Sequence, residues 1–251
     1  MARRESGFRV DKKGTIDLVT EVDLECERMC RAVIAERFPD HGVLAEELSS
    51  GPAERASSTH RWVFDPLDGT TNYAHGLPIF CASLALEIDG RPEAAAIYDP
   101  MLSELFTAER GEGAYVNGVR LHVSKTGRLI DSLLVTGFPY DVHTQRDDLV
   151  GLFSVFLGKA RAVRRLGSAA IDLCYVGAGR FDGFWEQHLK PWDVAAGALI
   201  VSEAGGLVTG MDGSSFDPAA AHLVASNGLV HGEVLDVIRE FRGERSLQRT
   251  D

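Results

Sequence analysis

Leu24, Met29, Cys30, Val33, Ile34 and Phe38 recur near helical spacing and predict a helix over 24–38, closed by Pro39-Asp40. Its apolar residues are expected to face a core, and Cys26 and Cys30 lie one helical turn apart within it. Short apolar or alternating runs at 43–45, 61–64, 81–88, 94–98 and 105–108 read as strands. Asp89-Gly90-Arg91-Pro92 and Asn117-Gly118 mark turns between some of them. Past 130 the texture changes. Residues 133–136 read as a buried strand, 146–158 as an amphipathic helix, 168–176 as a helix and 183–186 as a strand. A helix at 194–203, strands at 206–209 and 223–226 and a closing helix at 229–242 follow, and the polar tail after Phe241 should fray. Such an order implies an antiparallel α+β half, 1–130, followed by a layered α/β half, 131–251.

Composition narrows the class. At 251 residues, 45% hydrophobic and 25% charged, the chain can bury a sizeable core. No apolar run approaches the roughly 20 residues that cross a bilayer. Met1 to Gly7 carry charge but no apolar stretch, so no signal peptide is expected and the cytoplasm is the expected compartment. Cys26, Cys30, Cys81 and Cys174 are too few and scattered for a disulfide framework. A two-cysteine zinc site at Cys26 and Cys30 lacks accompanying ligands, so packing is the expected role. The net charge of −11 repels nucleic acid, so direct DNA or RNA binding is not expected. Divalent cations are a different matter, since abundant carboxylates suit them.

The most informative segment is Trp62-Val-Phe-Asp-Pro-Leu-Asp-Gly-Thr-Thr-Asn72. A strand delivers Asp65, Pro66 is expected to stop its ladder, and Asp68 follows across a turn permitted by Gly69. Two carboxylates so close repel unless a cation lies between them. The Gly-Thr-Thr that follows exposes N–H groups and hydroxyls to an anion. An Asp-rich turn capping the next element is the competing reading. Glu46-Glu47 sits at the end of the strand at 43–45. Asp193 stands before an apolar helical run, and Asp23 opens the first helix; both suit N-caps, a role compatible with ligation. Hard oxygen donors of this kind select magnesium or manganese over zinc.

In this order the segments resemble the inositol monophosphatase family of magnesium-dependent, lithium-sensitive phosphatases. The matching pieces are Asp17-Leu-Val-Thr20 with Asp23, Glu46-Glu47, Asp65-Pro-Leu-Asp-Gly-Thr-Thr-Asn72 and Trp192-Asp-Val-Ala-Ala-Gly197. Gly111-Glu-Gly-Ala-Tyr-Val-Asn-Gly118, Gly167-Ser-Ala-Ala170 and Glu203-Ala-Gly-Gly206 match too, so the likeness covers nearly everything from Lys12 onward. It implies a layered αβαβα sandwich and two or three Mg2+ ions, with Mn2+ as a substitute. Glu46, Asp65 and the Leu67 carbonyl would hold the first ion, and Asp65, Asp68 and Asp193 the second. A third would lean on Glu46. Thr70, paired with Asp23, would orient or deprotonate the attacking water, with Glu46 helping to place it. The backbone of Gly69 and Thr70 would grip phosphate, and Lys12 falls in a loop that the family closes over the site.

On the alcohol side the resemblance points to Asp68, Gly167, Ser168, Ala169 and Glu186. Arg164 or Arg165 could instead pair with a second phosphate, or end as a solvated strand terminus or an ion pair. Thr71 favours the inositol branch over the nucleotide-phosphate branch. Inositol 1-phosphate is therefore the first expected substrate, and fructose 1,6-bisphosphate or a broader sugar-phosphate range the second. No cysteine or histidine needs a catalytic role, and His75 and His188 are expected to be peripheral. A homodimer is the family habit, and some bacterial relatives act through a protein partner in transcription. The family also carries an amphipathic helix before the Lys12 position, which Met1 to Gly7 do not pattern as; its absence is expected to leave apolar surface for a partner.

Overall fold

The computed structural model describes residues 9–12, 18–48, 58–140, 142–220 and 222–248. Met1 to Gly7 and Asp17 lie outside them. Strands β1 (Val10–Lys12) and β2 (Leu18–Thr20) form an antiparallel ribbon leading into helix α1 (Glu21–Arg37). A seven-stranded sheet follows in chain order: β3 (Gly42–Ala45), β4 (His60–Asp68), β5 (Cys81–Ile88), β6 (Arg91–Asp99), β7 (Glu104–Glu109), β8 (Gly113–Val116) and β9 (Val119–Arg120). Within this sheet, among the described residues, only the β3–β4 pair is parallel. Short helix α2 (Thr70–Ala74) bridges β4 and β5. The second sheet has the order β11-β10-β12-β14-β13. It comprises β10 (Leu133–Thr136), β11 (Ala162–Arg164), β12 (Gly183–Gln187), β13 (Leu207–Thr209) and β14 (His222–Ser226). Helices α3 (Val142–Lys159), α4 (Ala169–Gly177), α5 (Pro191–Glu203) and α6 (His231–Gln248) complete the chain.

Helices α4 and α5 lie between the sheets. One core joins Val63, Ala85, Ile97 and Phe106 of the first sheet to Ile171, Cys174, Leu199 and Ile200. Another joins Val135, Phe184 and Leu223 of the second sheet to Leu173, Val176, Val194 and Val201 on the same two helices. A helix covered on both sides must be apolar all round, which explains the buried run from Val194 to Val201. Gly197 lets the pair approach: a Cβ there would stand 2.6 Å from Leu173 Cβ. Helices α3 and α6 cover the far face of the second sheet through Leu152, Phe156, Val234 and Ile238, around Trp185. Helix α1 packs on the other side of β4, where Phe38 meets the Trp62 ring at 5.3 Å and Trp62 Nε1 donates to His41 Nδ1 at 3.0 Å. The layering is α1, sheet, α4 and α5, sheet, α3 and α6: an αβαβα sandwich. Among the described residues no helix is long and apolar enough to cross a membrane.

Several expectations need correction. Pro66 does not stop β4, which runs on to Asp68 with a register shift between Asp65 and Asp68; the missing N–H is absorbed as a bulge. Helix α6 continues to Gln248 rather than fraying after Phe241. Helix α3 adds a short turn from Val142 before the non-helical Gln145, and the run expected at 146–158 follows it as helix. Most instructive is α1, which turns Asp23, Glu27 and Ile34 inward and leaves Met29 64% and Val33 51% exposed. Cys26 and Cys30 are free and half-buried rather than core residues.

Candidate active site

The β4 bulge aims successive groups into one cavity of about 640 Å³. Asp65 is buried, and its Oδ1 accepts from Leu67 N at 2.9 Å. Asp68 reaches across to α4, its Oδ2 accepting from Ser168 Oγ at 2.7 Å and Ala170 N at 2.6 Å. That carboxylate ties the first sheet to a helix a hundred residues on. Gly69 turns the chain at φ +94°, where a Cβ would meet Ile79 O at 2.8 Å, so this turn admits glycine alone without strain. Thr70 then opens α2 with its hydroxyl between two acceptors, Asp23 Oδ1 at 3.1 Å and Leu67 O at 2.9 Å.

Asp23 and Asp193 are not N-caps, as the sequence suggested. Each is the third residue of its helix and reaches back to the cap. Asp23 Oδ2 accepts from Thr20 N at 2.8 Å and from the Thr20 hydroxyl, completing a capping box. Asp193 Oδ2 accepts from Lys190 N at 2.7 Å, with Pro191 as first helical residue. The negative charges also suit the positive helix ends. Asp65, Asp68 and Asp193 thus each give one oxygen to protein donors, and the pocket borders all three.

The remaining expected residues divide. Glu46, Leu67, Gly167, Ser168, Ala169, Glu186 and Arg165 all line the cavity. Asp23 lies behind it, touching it through Thr70. Arg164 is turned away and exposed, its Nη1 donating to Val163 O at 3.2 Å. Lys12 ends β1, and its side chain is outside the described residues. His75 is exposed and outside the cavity. His188 is the exception to the peripheral expectation. It lines the cavity, at φ +63°, with Nε2 2.9 Å from Gln145 Oε1. Asp172, on α4, also borders the cavity, and its buried Oδ1 has no hydrogen-bond partner. Its lone position in an apolar run gave no periodic signal.

Burial dominates the electrostatics, and repulsion between the carboxylates adds to it. Burial, then Glu46, Asp68 and Asp193, hold the Asp65 carboxyl well above the usual range. Burial pushes Asp68 up to about 6, against hydrogen bonds from Ser168 and Ala170 that oppose the rise. Asp193 lies well above its usual value through burial and Asp68. Glu186 is pushed up to about 8 by burial and then by Asp193 and Asp68, and Arg165 opposes that. Its carboxyl is seated against Gly137, where a Cβ would come within 2.1 Å of Oε2. Among the described residues no three acidic, histidine or cysteine side chains are already gathered round one point, so a cation would have to draw them together. The donor set nonetheless suits Mg2+ or Mn2+: carboxylate oxygens, mutually repelling, on one cavity wall.

Comparison with known proteins agrees with this chemistry. Residues 1–242 match the inositol monophosphatase family model. The "Nus factor SuhB" of Pasteurella multocida is 43% identical over 236 residues, 94% of this chain and 88% of that protein. The "Inositol-1-monophosphatase" of Mesorhizobium japonicum is 41% identical over 233 residues, 93% of this chain and 87% of that one. Among solved structures, an IMPase/NADP phosphatase complexed with Mg2+ and phosphate superposes with a TM-score of 0.81 at 28% identity, covering 94% of this chain and 88% of its own. Sandwich, carboxylate pocket and likeness over nearly the whole length converge: the chain belongs to the inositol monophosphatase family and is a metal-dependent phosphatase.

Proposed function

We propose that the substrate is a polyol phosphomonoester, inositol 1-phosphate before others, cleaved by direct attack of water with no covalent intermediate. What supports the polyol is Glu186, a buried carboxyl on the same cavity as Asp68 and Asp193, which would meet hydroxyls beside the ester oxygen. Glu46, Asp65 and the Leu67 carbonyl would hold one Mg2+, and Asp65, Asp68 and Asp193 a second, with a third leaning on Glu46. Bound there, the ions neutralise the phosphate dianion, lower the pKa of water and stabilise both attacking and leaving oxygens of an in-line displacement.

The chain's own groups do the rest. Asp23 Oδ1 accepts a hydrogen bond from the Thr70 hydroxyl, so as the attacking water gives a proton to Thr70 Oγ1, Thr70 would pass its own proton to Asp23 and leave hydroxide to attack. Glu46 steadies that water. The backbone of Gly69 and Thr70, on the cavity wall, would grip the phosphate, and Ser168 and Ala170 hold Asp68 in place.

Arg165 favours a second reading. It lines the cavity and acts electrostatically on the Glu186 and Asp172 carboxyls, and a second phosphate would offer it a stronger partner, so fructose 1,6-bisphosphate is the rival substrate. The SuhB-named relative raises a role of another class, a surface used by a transcription partner. We take a homodimer as the working assembly, checked by sedimentation. The deciding experiment measures phosphate release from inositol 1-phosphate and fructose 1,6-bisphosphate with and without Mg2+, beside Asp193→Asn. Magnesium-dependent release with a higher kcat/KM for the monophosphate supports the reading, and the reverse ratio replaces it with the bisphosphate. No release from folded protein removes both in favour of a partner role.

A further inference from the structure

Helix α1 turns a fully buried carboxylate, Glu27, toward the segment that carries Glu46. Glu27 Oε2 accepts from Glu47 N at 2.8 Å, and Oε1 accepts from Leu48 N at 3.1 Å and from Arg31 Nε at 2.7 Å. Arg31 closes the ring by donating Nη2 to Leu48 O at 3.0 Å. These bonds fall where the sheet stops helping. Strand β3 ends at Ala45, paired with Phe64, and residues 46–48 bend away from the ladder. The Glu46–Glu47 peptide is a rigid plane, so holding Glu47 N anchors the carbonyl end of Glu46 and narrows the positions its Cα can take. A buried charge is costly unless paired, and an apolar residue would pack α1 at lower cost; this one is satisfied wholly by the loop and by Arg31. One turn earlier on the same face, Asp23 holds Thr70. A single helix therefore sets two groups on the pocket: the Thr70 hydroxyl and the Glu46 carboxylate.

We infer that Glu27, with Arg31, is a positioning residue for Glu46, which sets the affinity of the cation site and the placement of the attacking water. The inference rests on the reading of Glu46 as a cation ligand. The test is Mg2+ binding to substrate-free protein by calorimetry, alongside turnover, for Glu27→Gln, Glu46→Gln and the double variant. An amide at 27 can accept only through its oxygen, so one loop N–H loses its acceptor and Arg31 loses its counter-charge. Mg2+ Kd is expected to rise about tenfold in Glu27→Gln. In the Glu46→Gln background the same change should add no more than about twofold, because its effect passes through Glu46. A fall in Tm with Mg2+ Kd unchanged, or effects that multiply in the double variant, overturns the inference. Glu46→Gln leaving Mg2+ Kd unchanged overturns instead the reading beneath it. Should Glu27→Gln not fold, Arg31→Lys tests the same ring from its exposed side: it keeps the charge but loses the fork spanning Glu27 and Leu48 O. Kd is then expected to rise about threefold, and no rise overturns the inference.

Discussion

Thr70 stands where three demands meet: it opens a helix, it follows a left-handed glycine, and its hydroxyl is shared between a carboxylate and a carbonyl. Thr70→Ala is expected to lower kcat about a hundredfold with Mg2+ affinity unchanged, as for loss of a proton-handling group. Single-turnover rates and calorimetry together check this. Asp193→Asn makes the converse case. Its amide oxygen can keep the bond from Lys190 N, so circular dichroism should be unchanged, while turnover falls by more than about a hundredfold through loss of the cation. Gly69→Ala should cost about 1–3 kcal/mol, from the positive φ and the clash with Ile79 O, seen as a lower unfolding midpoint in urea. At this scale the motif was legible, because Asp65, Asp68 and Asp193 sit in short segments whose chemistry is local. Asp172 and Glu27 were not. A lone acid in a helix looks solvated until its neighbours in space are known.

The elements were read well where the period was strong. Strand β5 alternates buried and half-buried along its length, and the Asp89-Gly90 and Asn117-Gly118 turns place both residues at positive φ, as tight hairpins need. Short elements escaped: β9 has two residues and β11 three, too few for any periodicity. Helix α1 misled for a different reason. Its apolar residues do fall at helical spacing, yet the face that meets the rest of the chain carries Asp23 and Glu27, because hydrogen bonds to the ribbon, α2 and the 46–48 segment won over apolar burial. Between α4 and α5, contact depends on a missing side chain. Gly197→Ala is expected to cost about 1–3 kcal/mol through overpacking against Leu173, read as a lower Tm.

Across the whole molecule the raised carboxyls link stability to pH. Asp65, Asp68, Asp172, Glu186 and Asp193 all hold protons in the fold at pH values where the unfolded chain, titrating near 4, has lost them. The folded state therefore binds more protons between about 4 and the raised values, such as about 6 for Asp68 and about 8 for Glu186. In the absence of Mg2+ their contribution to stability falls as pH rises through that window. Mg2+ favours the ionised form, so the Tm gained on adding it should grow from pH 5 to pH 8. A gain independent of pH would contradict the repulsion described at the pocket.

The single bonded oxygen on Asp65 and Asp193 has an evolutionary consequence. Amides at these two positions would keep the bonds from Leu67 N and Lys190 N while removing those groups' share of the burial cost and the repulsion. Asp65→Asn and Asp193→Asn should each melt higher than the parent in chelator, though neither turns over substrate. For a lineage no longer selected for turnover, losing the chemistry is then a downhill mutational step that leaves the outer surface as it was. A catalyst of this design can drift into a scaffold without ever passing through an unstable ancestor.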